Sequence, residues 1–127
     1  MVTGRETQKK GDLAKAKAIS YFTELGYEVS ILITESAAYD LIVDDDIGLF
    51  KVQTKYSSRD DVDLRRIHSN AKGYVVKRYE ESAFDWLFVY RPDGRIYVFK
   101  DSPASKKSIS LNGAVAESGN SCGLENR

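Results

Sequence analysis

The stretch YDLIVDDDIGLFKVQTK, residues 39–55, holds a carboxylate, an amide and a lysine at spacings that a β-hairpin would bring together. With the turn centred between Asp46 and Ile47, opposed residues keep a constant index sum of 93, which sets Asp40 against Gln53. Side chains alternate between the faces of a strand. Asp40, Ile42 and Asp44 therefore share one face with Leu49, Lys51, Gln53 and Lys55. Tyr39, Leu41 and Val43 share the other, core-like face with Phe50, Val52 and Thr54. Cross-strand neighbours lie about 4.5–5.5 Å apart at Cβ and diagonal ones about 7–8 Å, so Asp40, Gln53 and Lys55 can converge on one small volume. A carboxylate and an amide oxygen are hard ligands suited to magnesium. An ammonium beside them can stabilise a phosphorane-like charge or help deprotonate an attacking water. That chemistry is phosphodiester hydrolysis. Short patterns of this kind also arise without function, and Asp40 with Lys55 would equally make a surface ion pair with Gln53 incidental.

The elements that must position these residues are readable in outline. Asp12–Leu25 carries an apolar stripe at Ile19, Phe22 and Leu25 with alanines between, the pattern of an amphipathic helix. Gly11 and Asp12 mark its start and Gly26 its left-handed stop. A strand is expected over Tyr27–Thr34, then a hairpin of Tyr39–Asp44 and Leu49–Tyr56 around the acidic turn ending in Gly48. Residues 57–63 read as a polar loop. Leu64–Ser69 and Gly73–Tyr79 form a second, basic hairpin, and Phe84–Tyr90 and Ile96–Lys100 flank the turn Pro92-Asp93-Gly94-Arg95. The Trp86–Tyr90 run is apolar on both faces, which predicts a strand buried on both. Residues 1–9 are expected to be a flexible lead-in and 112–127, with no apolar period, a disordered tail.

With 127 residues, 42% hydrophobic and 30% charged, one domain with one core of moderate size is expected. The single cysteine, Cys122, excludes an internal disulfide framework and a cysteine zinc site. No run of 18 apolar residues is present, and the first residues lack the apolar segment of a signal peptide, so a cytoplasmic protein without a membrane anchor is expected.

A formal net charge of zero hides a strong asymmetry. Glu35–Asp46 holds five acids and no base, whereas Lys51–Arg78 holds eight bases against three acids. An acidic knot followed by a basic ribbon suits a polyanion held near a cation site. On the ribbon, Arg65, Arg66, His68, Asn70, Lys72, Lys77 and Arg78 are candidate nucleic-acid contacts, since phosphate contacts set affinity while Arg and Asn can read base edges. A charged edge that discourages sheet aggregation is the alternative use of the same residues.

The order of helix, strand, Asp-bearing strand and Gln-x-Lys strand, with Lys10-Gly11 opening the helix, resembles the PD-(D/E)XK nuclease superfamily. The residues that carry the resemblance are KGDLAKAKAISYFTELGYEV at 10–29, YDLIV at 39–43, VQTK at 52–55, FDWLFVYRPDGRIYVF at 84–99 and KSISL at 107–111. The branch most similar is typified by a cyanobacterial group I intron homing endonuclease, followed by archaeal Holliday junction resolvases. The resemblance implies an α/β (α+β), restriction-endonuclease-like fold over residues 10–111, an N-terminal helix followed by a central mixed β-sheet with further hairpins. It implies a magnesium-dependent endonuclease acting on double-stranded DNA, with a Holliday junction resolvase-like activity or a catalytically degenerate DNA-binding or inhibitory module as alternatives. Cutting two strands needs two sites, which points to a homodimer or homotetramer. By the same resemblance Asp40, Gln53 and the Thr54 carbonyl hold the metal, Gln53 standing where an acid is usual, and Lys55 is the motif lysine. The family's helix glutamate is replaced by Lys15, a cation where an anion is expected, and Asp12, on roughly the same helical face, is the candidate substitute.

Overall fold

The computed structural model describes residues 4–70, 73–78, 83–101, 104 and 108–111; side chains are described from Glu6 onward, outside the 65–78 hairpin. A single helix, α1 (Gly4–Glu24), precedes nine strands: β1 (Glu28–Ile31), β2 (Leu41–Asp44), β3 (Leu49–Tyr56), β4 (Asp61–Asp63), β5 (Arg65–Asn70), β6 (Gly73–Arg78), β7 (Trp86–Tyr90), β8 (Ile96–Phe99) and β9 (Ser108–Ser110). The helix begins at Gly4 and not at Asp12, so residues 6–9, expected ahead of it, are helical. Gly11 sits inside the helix, where a Cβ would meet nothing within 4 Å, so neither packing nor backbone strain makes it a boundary. The far end stops as expected. Gly26 adopts φ 88°, its N–H donates to the Thr23 carbonyl at 3.0 Å, and the Tyr27 N–H donates to the Phe22 carbonyl at 3.1 Å, the paired bonds of a glycine C-cap.

Five strands form one mixed sheet in the order β1-β2-β3-β7-β8. The β2–β3 hairpin has the register expected from the sequence, with Leu41 opposite Val52 and Val43 opposite Phe50. Its turn explains the acidic run. Asp44 Oδ1 accepts from the Asp46 N–H at 2.9 Å, and Asp45 Oδ1 accepts from the N–H groups of Ile47 and Gly48 at 2.9 and 3.0 Å. These bonds hold Asp46 at φ 74°, a conformation that Asp tolerates better than most residues. Asp44, Asp45 and Asp46 thus build the turn.

β3 pairs in parallel with β7, Gln53 opposite Leu87 and Lys55 opposite Val89. β7 is buried on both faces, as its unbroken apolar run predicts. Trp86 and Phe88 pack with Ala18 and Phe22 of α1 and with Leu41, Val43 and Val52. Leu87 and Val89 face the opposite way, against Val62, Leu64, Phe84, Tyr97 and Leu111. The sheet therefore separates two apolar layers, where a single core was expected. The second is closed by a pairing absent from the sequence reading: β4, inside the expected 57–63 loop, pairs antiparallel with β9.

β5 and β6 make a separate antiparallel ladder, Arg65 opposite Arg78 and Arg66 opposite Lys77, which is the expected basic hairpin. Lys72 and residues 112–127 lie outside the described residues, and for Arg65, Arg66, His68, Asn70, Lys77 and Arg78 the description covers the backbone.

Candidate active site

The site lies where β2 begins, against the second half of β3. Asp40 is placed just ahead of the β2 ladder, its N–H donating to the Val52 carbonyl at 2.8 Å. That position frees its carboxylate from strict alternation. Asp40 Oδ2 accepts from the Thr54 N–H at 2.9 Å and from Thr54 Oγ1 at 2.9 Å. With its amide nitrogen toward the acceptors around it, Gln53 donates to the same Oδ2 at 3.1 Å and to the Ala38 carbonyl at 2.8 Å. Gln53 and Thr54 point to opposite faces of β3, so the carboxylate straddles the edge and is held from both. Thr54, expected to be an ordinary core-facing residue, instead spends its hydroxyl on Asp40 and is 9% exposed. Tyr39 also departs from the expected face. It packs in the layer of Leu87 and Val89, on the opposite side from Leu41, because the ladder that enforces alternation starts only at Leu41.

Asp40, Gln53 and Thr54 line a cleft of about 420 Å³ whose other wall is α1, through Asp12 and Lys15, and whose rim includes Glu35. Lys15 thus shares the cleft with Asp40, and so does Asp12. Glu35 was not singled out from the sequence; its membership of the acidic run was the available signal. Lys55 lines a second groove, of about 670 Å³, and not the Asp40 cleft. Burial pulls the Lys55 ammonium below its ordinary range, while the negative charges of Asp40 and Asp63 act against that pull. Asp40 is thus hydrogen-bonded to Gln53 and electrostatically coupled to Lys55, although Lys55 lines a different space.

Among the described residues, no three His, Cys, Asp or Glu side chains gather around one point. The donor set on the β2–β3 side of the cleft is the Asp40 carboxylate with the Gln53 amide and the Thr54 backbone carbonyl close by, and Asp12 and Glu35 line the same cleft. Magnesium is commonly bound by one or two carboxylates with water and substrate phosphate completing its shell, so this sparse set fits that ion and does not fit a closed structural metal site.

A sequence profile of the PD-(D/E)XK endonuclease family matches residues 5–122. No curated protein matches by sequence. Among solved structures, a bacterial homing endonuclease, I-Ssp6803I, superposes with a TM-score of 0.73 at 29% identity, covering 83% of this chain and 77% of that one. The helix followed by a mixed sheet agrees with this match along most of the chain, and the chain belongs to the PD-(D/E)XK endonuclease superfamily, in its homing-endonuclease-like branch.

Proposed function

We propose that the protein is a magnesium-dependent endonuclease that hydrolyses phosphodiester bonds in duplex DNA. The observation that carries this reading is the Asp40 carboxylate, fixed by three donors from β3 at the mouth of a cleft beside the partly desolvated Lys55. Asp40, Gln53 through its amide oxygen and the Thr54 carbonyl would hold the ion. When bound, magnesium supplies Lewis-acid polarisation of the phosphoryl oxygens and a more acidic water. The chain's own residues supply the rest. Thr54 and Gln53 keep Asp40 Oδ2 in place, and Lys55 sets a positive charge beside the position of the scissile phosphate. Its lowered proton affinity raises the share of neutral amine, and in that form, in place of the charged one, Lys55 can take a proton from the attacking water.

The basic hairpin supports a nucleic-acid partner. Like charges directly opposite in a ladder destabilise it, and β5–β6 sets Arg65 against Arg78 and Arg66 against Lys77 in successive rungs. A DNA backbone relieves that repulsion, so the hairpin, with His68 and Asn70 on β5, is assigned to DNA contact, and Lys72 is kept as a candidate contact from the sequence. Action on both strands calls for two copies, as a homodimer or homotetramer.

Plasmid nicking with magnesium tests the reading. Wild-type protein should nick, and Asp40→Ala should lose at least about 100-fold in rate, the scale of losing a fixed metal-site group. Undiminished cleavage by that variant would refute the assignment. One observation favours a second reading: Lys15 lines the same cleft as Asp40, a cation where the family carries an anion. A wild-type chain that binds duplex but never nicks it would be a degenerate DNA-binding module. Preference for a four-way junction over linear duplex would instead identify a resolvase.

A further inference from the structure

The groove lined by Lys55 has no part in the chemistry derived above, yet it is the larger of the two spaces. Its cations are Lys10 from α1, Lys55, and Arg59 from the segment after β3. Hydroxyl groups of Ser57, Ser58 and Ser108 alternate with them along the wall. The segment that carries Ser58 and Arg59 is firmly pinned. Ser57 Oγ donates within 3.0 Å of the Asp61 carbonyl and 3.2 Å of the Arg59 carbonyl, and accepts from the Arg59 N–H at 3.3 Å. The Ser57 N–H donates to the Tyr90 carbonyl at 3.0 Å, and the Leu111 N–H to the Asp60 carbonyl at 2.7 Å. A short loop held at that many points presents its side chains from a fixed base.

Two acids also line the groove, and both are already matched to cations. Asp61 Oδ1 lies 3.4 Å from Arg59 Nε, in a pair whose side chains are 82% and 50% exposed for Arg59 and Asp61 respectively. Such an exposed pair is weak and readily exchanged for a phosphate. Asp63 acts on Lys55. Lys10 Nζ stands 5.6 Å from the centre of the Tyr56 ring, which steadies its stem while its charge stays at the surface.

We infer that this groove, built from Lys10, Ser58 and Arg59 beside Lys55, binds the DNA backbone at phosphates about three nucleotides along the strand from the one cleaved. The inference rests on the nuclease reading and adds a subsite to it. Distance supports it. Ser57, the residue after the end of β3, lies three residues beyond Thr54, about 10 Å away if the chain runs on extended at ~3.3 Å per residue. That matches the axial rise of about three nucleotides, at ~3.4 Å each along one DNA strand. Continuity supports it as well, because Asp63, on the groove wall, is separated from the start of the basic β5 ladder only by Leu64. The groove thus lies, along the chain, between the Asp40-bearing hairpin and the basic ladder.

The test measures binding of the full chain to a short random-sequence duplex without divalent metal, so that cleavage does not intrude, across a salt series. Wild-type affinity should fall steeply with salt. Arg59→Ala and Lys10→Ala should each flatten the log–log salt slope by about one, so that a fourfold rise in salt costs each variant about fourfold less affinity than it costs wild type. Asp61→Asn, which frees Arg59, should bind more tightly than wild type. A structural role for Arg59 would not produce opposite signs in these two variants, and matched thermal melting curves confirm intact folding. Unchanged slopes in both alanine variants, with wild type still binding, would overturn the groove assignment and leave the nuclease reading standing. Absence of salt-dependent binding by wild type would overturn both.

Discussion

At the scale of single residues, the site is organised by who donates to Asp40. Removing the Thr54 hydroxyl while keeping its shape tests this. Thr54→Val should destabilise the protein by about 1–2 kcal/mol in urea denaturation, the scale of one hydrogen bond to a carboxylate, and should also slow nicking. Lys55 supplies a pH signature. Its ammonium is less readily protonated in the folded chain than at the ordinary value of 10.5, so the unfolded chain binds more protons and stability from this group rises with pH. The penalty for burying the charge is fully present below the folded-state value and disappears as pH climbs from there toward 10.5. Compared with Lys55→Met in parallel urea titrations, wild type should therefore gain relative stability as pH rises toward 10.5. A constant difference would show that Lys55 is not desolvated. Lys15 gives the third test. Lys15→Glu replaces repulsion of a cation in the cleft by attraction, and should lower the magnesium concentration for half-maximal nicking by about tenfold, the scale of two partly screened unit charges. Much of this was legible beforehand, because a hairpin register fixes which residues face one another. The double grip on Asp40 Oδ2 was not, because it depends on Asp40 standing outside the ladder where strict alternation lapses.

At the scale of elements, α1 forms one wall of the Asp40 cleft and is held by one stripe. Ala14, Ala18 and Phe22 are all buried, and Phe22 lies within 6.2 Å, centre to centre, of the rings of Tyr21, Tyr27, Trp86 and Phe88. Phe22→Ala should cost about 3–5 kcal/mol, measured by denaturant unfolding, since the rings around it can collapse only partly into the space left. The helix stop at Gly26 and the acidic turn at Asp44–Asp46 were readable because each rests on local chemistry: a positive φ, or a carboxylate bonding to N–H groups two and three residues on. The start of α1 was misjudged because an exposed helical glycine looks the same in sequence as a boundary. The β4–β9 pairing was invisible for a different reason. Each strand has three residues, and what closes the ladder is Val62 and Ile109 packing under Leu87 and Val89, a contact between distant parts of the chain.

At the scale of the whole molecule, the candidate residues Gln53, Thr54 and Lys55 lie on the middle strand of the mixed sheet, and the charge asymmetry along the chain becomes a map: the acidic run spans the loop that lines the Asp40 cleft and the hairpin turn, and the basic run begins on β3 and ends on the β5–β6 ladder. The family fold was legible because helix, hairpin and buried strand each carry a strong periodic signal in the order that the superfamily shares. If two copies act together on duplex DNA, sedimentation equilibrium should find species at two or four times 14.3 kDa, and a strictly monomeric chain would confine the activity to nicking. The position of Asp40 also gives the site two unequal halves. Gln53, Thr54 and Lys55 lie on a strand bonded to neighbours on both sides, whereas Asp40 ends an irregular stretch from Leu32, in which Ile33 is wholly exposed. Amide hydrogen exchange should then be slowest along β3 and fast through 32–38, because local opening needs far less free energy than global unfolding. On gentle heating the protein would stop cutting while its sheet was still intact, and would regain the ability on cooling.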